Sequence, residues 1–234
     1  MLSPALGPAS PLPDADCRLI EGPHSAPATL LLAHGAGAPM DSPFMGAIAA
    51  GLANQGWRVV RFEFPYMTRW RQTGRRGAPD RLPKLLESFQ AEIARAPGLG
   101  PLFIGGKSLG GRVASLVLSE LDNTSTPAFP GGARVRGGVC LGYPFHPPGK
   151  PDQLRTAHLA SLRSPLLILQ GERDSFGKRS EVEGYVLSER VELGWIPGGD
   201  HSFKPNRASG LEERGAWALA VAHADDFLRR LLAS

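Results

Sequence analysis

The sequence predicts an α/β protein, a single domain with a mostly parallel central sheet covered by helices on both faces. Three observations lead there. Short β-type runs alternate with longer stretches of helical spacing. Several of those runs are apolar at nearly every position, as strands buried on both faces must be. No linker breaks the alternation, and 234 residues suit one large domain.

The predicted strands are Ala28–Ala33, Trp57–Phe62, Pro101–Gly105, Val135–Leu141, Pro165–Gln170 and Arg190–Ile196, with Cys17–Ile20 as an added edge strand. Leu82, Leu85, Leu86, Phe89 and Ile93 form one helical stripe. Trp217, Val221, Ala224, Leu228 and Leu231 form another, and Gly111–Leu121 is a third helical run. Parallel neighbours need a crossover, and these helices supply it. Residues 1–16, broken by Pro4, Pro8, Pro11 and Pro13, read as a flexible segment ahead of a domain over 17–234. With no early Lys or Arg, that segment does not read as a signal peptide.

Composition removes several function classes. Cys17 and Cys140 are too few for a disulfide framework or a four-thiolate zinc site. No apolar run approaches the roughly 20 residues of a membrane span, so a cytoplasmic protein with no membrane partner is expected. The net charge of +4 is modest. The one basic cluster, Arg69, Arg71, Arg75, Arg76 and Arg81, has only Trp70 among it, so nucleic acid is not an expected partner.

In an open parallel sheet, functional groups sit in loops at the carboxyl ends of strands. After the run Pro101–Gly105 comes Gly106-Lys107-Ser108-Leu109-Gly110, then a helix. This is G-x-S-x-G, in which a serine stands on a sharp strand-to-helix turn that leaves no room for neighbouring Cβ atoms. The same residues end a phosphate-binding G-x-x-x-x-G-K-[ST] pattern, but Pro101 stands where its first glycine belongs and Leu102-Phe103-Ile104 read as buried strand. The nucleotide reading fails.

A nucleophilic serine needs a base, and the base needs a group to orient it. In the chain order serine, acid, histidine, Asp174 follows the strand Pro165–Gln170 and His201 follows Arg190–Ile196, each in a loop at a strand's carboxyl end. Glu172 and Asp200 compete for the acid's place, although Asp200 adjoins His201 and pairs with it awkwardly. Acyl transfer also needs amide donors facing the developing oxyanion. The N–H of Leu109 is one, and Ala36, in the His34-Gly35-Ala36-Gly37 loop after the first buried strand, is the other.

With these phrases the chain resembles the α/β-hydrolase superfamily, specifically a small bacterial branch without a cap domain that is dienelactone-hydrolase-like. The resemblance runs from residue 17 onward through Ala33-His34-Gly35-Ala36-Gly37, Gly106 to Arg112, Gly142 to Pro151, and Asp200-His201-Ser202-Phe203. It is also similar to the hydrolase-like domains of testis-expressed protein 30 and of subunit 3 of the chromatin NSL complex. The resemblance implies the α/β-hydrolase fold and a Ser108–His201–Asp174 triad, with no cofactor or metal. Dienelactone hydrolases usually carry a cysteine where Ser108 stands, and the short stretch between Leu141 and Pro165 leaves no room for a lipase lid.

The expected activity is hydrolysis of a small carboxylic ester or thioester through an acyl-enzyme; the alternative is a hydrolase-like protein-interaction module. Four residues are candidates for substrate contact: Lys107, Tyr143, Arg69 and Arg71. Lys107 either pairs with a nearby acid or touches substrate. The arginines of Tyr66–Arg81 either clamp an anionic substrate or decorate a mobile loop. The sequence gives no oligomeric state.

Overall fold

The computed structural model describes residues 18–96, 100–124 and 134–233. Cys17 and the Pro-rich segment 1–16 lie outside the described residues. Seven strands form one sheet: β1 (Arg18–Glu21), β2 (Thr29–Ala33), β3 (Arg58–Phe62), β4 (Leu102–Lys107), β5 (Val135–Leu141), β6 (Leu166–Gly171) and β7 (Val191–Ile196). Their spatial order is β1-β3-β2-β4-β5-β6-β7. β1 runs antiparallel to β3, and every other pairing is parallel.

Period two sorts the side chains. In β2, Leu31 and Ala33 join one core with α2 (Pro65–Thr73), α3 (Leu82–Ala94) and α4 (Leu109–Asn123), while Leu30 and Leu32 join the other with α1 (Pro43–Asn54) and α6 (Glu213–Ala233). All five residues of β2 and of β3 are buried, which is why those runs lack alternation. The apolar stripes of α3 and α6 close the two faces through Leu85, Phe89 and Ile93 and through Ala220, Ala224 and Leu228.

The stretch Tyr66–Arg81 departs from the expected loop, because its first part is helix α2. Pro65 sits at its first position and Gly74, at φ 68°, ends it in the left-handed region. Residues 142–165, between β5 and β6, hold one short 3₁₀ turn at Leu159–Ser161 and no cap domain. A four-residue helix, α5 (Arg179–Val182), follows β6. No helix among the described residues is long and apolar enough to cross a membrane.

Topology decides where the site lies. The chain leaves β2 to build β3 on one side and returns to lay β4 on the other, so a crevice opens at their carboxyl ends.

Candidate active site

Ser108 stands in that crevice, between β4 and α4. Its backbone, at φ 51° and ψ −111°, is outside the regions L-residues favour; among the described residues only Phe203 shares a positive φ without being glycine. The turn is this tight because the elbow presses on β2. A Cβ on Gly106 would lie 2.5 Å from the Ala33 carbonyl oxygen, and one on Gly110 would lie 2.5 Å from the same atom and 2.6 Å from the His34 oxygen. Both positions therefore require glycine. Behind Ser108, the first-turn amides of α4 give the spot a positive potential.

His201, in the loop after β7, reaches Ser108 Oγ through Nε2 at 2.8 Å and Asp174 Oδ2 through Nδ1 at 2.8 Å. An ionised Asp174 accepts only, so Nδ1 carries a proton and Nε2 is free to accept from the serine hydroxyl. Burial holds His201 below its ordinary pKa; the Asp174 carboxylate opposes this and the Lys107 ammonium adds to it. At neutral pH the ring is thus an unprotonated base. Phe176 stacks on it at 4.2 Å between ring centroids.

Asp174 is fully buried. Its Oδ1 accepts from the Phe176 N–H at 2.8 Å, and its Oδ2 accepts from Gln170 Nε2 at 2.9 Å as well as from His201. Gln170, also fully buried, accepts from the Tyr143 N–H at 2.7 Å and so locks the loop after β5 to the Asp174 loop. The competing acids are used elsewhere. Glu172 accepts from Gly198 N–H and Arg179, and Asp200 Oδ1 caps its own turn through the amides of Ser202 and Lys204.

The loop after β2 lies against the serine, since a Cβ on Gly35 would sit 3.7 Å from Ser108 Cβ. His34 is fully buried there. The Phe64 N–H donates to its Nε2 at 3.1 Å, which places its proton on Nδ1, from which it donates to the Gly35 oxygen at 2.7 Å. Tyr66 donates to that oxygen at 3.1 Å and to the Ala36 oxygen at 3.3 Å. With the Gly35 carbonyl so held, the trans peptide directs the Ala36 N–H the opposite way.

The profile of the family described as alpha/beta hydrolase domain matches residues 26–229. The chain belongs to that family. Solved structures share the fold at low identity. One of a dienelactone hydrolase from Anabaena variabilis superposes with a TM-score of 0.66 at 20% identity, covering 91% of this chain and 90% of that one. Est1E from Butyrivibrio proteoclasticus gives 0.65 at 14%, with 93% and 94% covered. A serine hydrolase without lid from Xanthomonas campestris gives 0.58 at 17%, with 88% of each chain covered.

In this α/β hydrolase the four candidate substrate residues go elsewhere. Lys107 pairs with neither an acid nor the open cleft. Its side chain is buried, Nζ donates to the backbone oxygen of His201 at 2.6 Å, and the ammonium lies 5.6 Å from the Phe44 ring centroid. Burial pulls its pKa down to about 8 against the opposing pull of Asp174 and Asp200. Tyr143 does not line the cleft. Gly142, at φ 65°, turns the chain so that the ring enters the core, where its hydroxyl donates to the Arg155 oxygen at 2.8 Å. Arg69 is taken by Asp80 at 2.6 Å. Arg71 is taken by Glu63 at 2.5 Å and Asp41 at 2.9 Å, both of which strengthen its hold on its proton. Internal carboxylates fill the Arg71 fork on both sides, whereas Arg69 spends one nitrogen on Asp80 and leaves the rest of its side chain half-exposed.

Sequence reasoning missed Gln170, Tyr66 and the His34 side chain. Gln170 carried one signal: it is a polar residue ending a run that is otherwise apolar.

Proposed function

We propose that this protein is a serine hydrolase that cleaves small carboxylic esters or thioesters. The observation that carries the reading is the unbroken line Ser108 Oγ to His201 Nε2 and His201 Nδ1 to Asp174 Oδ2, with 2.8 Å at each contact. Ser108 attacks the carbonyl carbon as His201 takes its proton; Asp174 holds the tautomer and stabilises the imidazolium. The developing oxyanion is met by the N–H groups of Leu109 and Ala36, a pair aimed by the elbow and by the His34–Tyr66 clamp. His201 then protonates the leaving oxygen or sulfur. Water, deprotonated by the same ring, releases the acid from the acyl-enzyme.

Residues 142–165 place no cap over the serine, which supports small or exposed substrates over long acyl chains. The sequence of steps uses only this chain's residues and water. The test is burst kinetics on a 4-nitrophenyl ester. A burst equal to the enzyme concentration that vanishes in Ser108→Ala supports the reading; turnover that survives Ser108→Ala sinks it.

A further inference from the structure

Two arginines, one on α4 and one in the loop after β5, have no acid to hold among the described residues. Among the described residues, Arg18, Arg61 and Arg71 are mostly hidden from solvent and each engages a carboxylate, and the buried Arg58 meets the His24 ring. Arg112 and Arg155 are half-buried too, yet neither guanidinium meets a carboxylate or a hydrogen-bond acceptor among the described residues. Arg112 Nε is buried with no hydrogen-bond partner among the described residues. The loop segment that carries Arg155 packs on the α4 turn that carries Arg112, where His158 Nε2 lies 2.9 Å from Ser115 Oγ. There Arg112 weakens the hold of Arg155 on its proton, after burial itself, and disfavours a charged His158. Like charges brought together and left unpaired are a cost unless an anion sits between them.

Their positions point to the reacting centre. The Arg112 N–H donates to the Ser108 oxygen at 2.9 Å, so Arg112 is one turn along α4 from the serine. Helical side chains lean toward the N-terminus, which here is the serine's end. Arg155 lies in the loop that leaves the carboxyl end of β5. Its backbone is fixed at both polar atoms, by Phe145 at 2.7 Å and by Tyr143 Oη at 2.8 Å. That loop starts at Gly142, whose added Cβ would be 2.7 Å from the His201 oxygen. Arg112 is therefore fixed one turn from Ser108, and Arg155 stands on a backbone-anchored loop whose first residue abuts His201.

We propose that Arg112 and Arg155 form an oxyanion-recognition subsite of this hydrolase, selecting esters whose acyl or leaving group carries a carboxylate or phosphate. The proposal rests on the serine-hydrolase reading above. Two guanidinium forks offer bidentate contacts to either anion, and a bound anion removes their mutual repulsion. Selection for charge thus comes from these two residues and not from Arg71, whose fork is filled, or Arg69, which is already paired with Asp80.

The test compares 4-nitrophenyl hydrogen glutarate with 4-nitrophenyl pentanoate, which has the same chain length but no terminal carboxylate. In the wild type kcat/KM favours the charged ester by about tenfold or more, chiefly through KM. Arg155→Gln and Arg112→Gln each collapse that ratio toward one, whereas Arg69→Gln, which removes the same charge from an internal ion pair, keeps it. A wild-type ratio near one, or an equal loss in Arg69→Gln, overturns the subsite. A second arm needs no turnover. In a Ser108→Ala background, glutarate and inorganic phosphate are each tested for a rise in melting temperature, and the anion that gives one identifies the group recognised. Loss of that rise in the Ser108→Ala, Arg155→Gln double variant supports the subsite even if no ester is cleaved; no rise with either anion overturns it, whatever the fate of the hydrolase reading.

Discussion

Gln170→Leu isolates the support beneath the acid. The amide joins three segments: it accepts from the Tyr143 N–H at 2.7 Å and donates to Asp174 Oδ2 at 2.9 Å, to the Tyr143 oxygen at 3.1 Å and to the Gly177 oxygen at 3.2 Å. Leucine fills similar space and keeps the β6 backbone pairing, so the change deletes hydrogen bonds and little else. An orphaned buried N–H costs about 1–3 kcal/mol and a lost bond to a charged group about 1.5–3 kcal/mol. Losing the Tyr143 and Asp174 bonds together therefore costs roughly 3–6 kcal/mol, a large part of the 5–15 kcal/mol typical of a whole domain. At about 2–4 °C per kcal/mol for a chain of this size, the melting temperature falls by roughly 6–24 °C. Asp174 keeps His201 and Phe176 as partners but loses its third contact, so kcat falls with it. Scanning calorimetry and ester kinetics on the same preparation read both effects. A melting temperature within 2 °C of wild type, with kcat unchanged, would refute the claim that Gln170 supports Asp174.

Asp174→Asn turns the acceptor that faces His201 Nδ1 into a donor or leaves it contested by Gln170 Nε2, so the ring loses the tautomer that serves Ser108. A fall of about 10⁴-fold in kcat with the fold retained is expected from steady-state kinetics and circular dichroism. Tyr66→Phe removes the hydroxyl that holds the Gly35 and Ala36 carbonyls, and kcat should drop about tenfold with little change in KM. Lys107→Met removes an ammonium that disfavours the His201 imidazolium. The imidazolium then persists to higher pH, and the acid limb of the kcat/KM profile moves upward. The same variant carries a stability signature. Folded Lys107 releases its proton at about 8, whereas the unfolded side chain does so near 10.4, so between those values the unfolded state binds more protons. Wild-type stability minus that of Lys107→Met should rise through this window by up to about 1.4 kcal/mol per pH unit in urea titrations, and stay flat below it.

Much of the fold was legible because burial on both faces writes itself as apolar runs, and Leu30–Ala33 of β2 and Leu166–Leu169 of β6 are such runs, whereas β3 buries Arg58 and Arg61 among its apolar residues. Strand ends were less so. β4 continues through Gly106 and Lys107 because these still pair with Cys140 and Leu141, a fact held by the neighbouring strand and not by the local residues. α2 was hidden since its residues are mostly polar; Trp70 packs on the core and Arg71 is held by Glu63, contacts that only the folded chain brings together. Spacing and chain order were enough to nominate Ser108, Asp174 and His201, because elbow, strand end and loop each leave a local trace. Tyr143 and Lys107 misled for one reason. A residue next to a reactive loop can point to either side of the chain, and here the backbone turn at Gly142 sends the ring inward while the ammonium goes to the His201 carbonyl. Arg112 and Arg155 are 43 positions apart in sequence, and nothing local links them.

The central claim is that Ser108 is an activated nucleophile, and fluorophosphonate labelling read by intact mass tests it most directly. One adduct per chain at Ser108, absent in Ser108→Ala and in His201→Ala, is the expected result. A folded wild-type protein that takes up no label would contradict the account and leave the Ser108–His201 contact without chemical consequence.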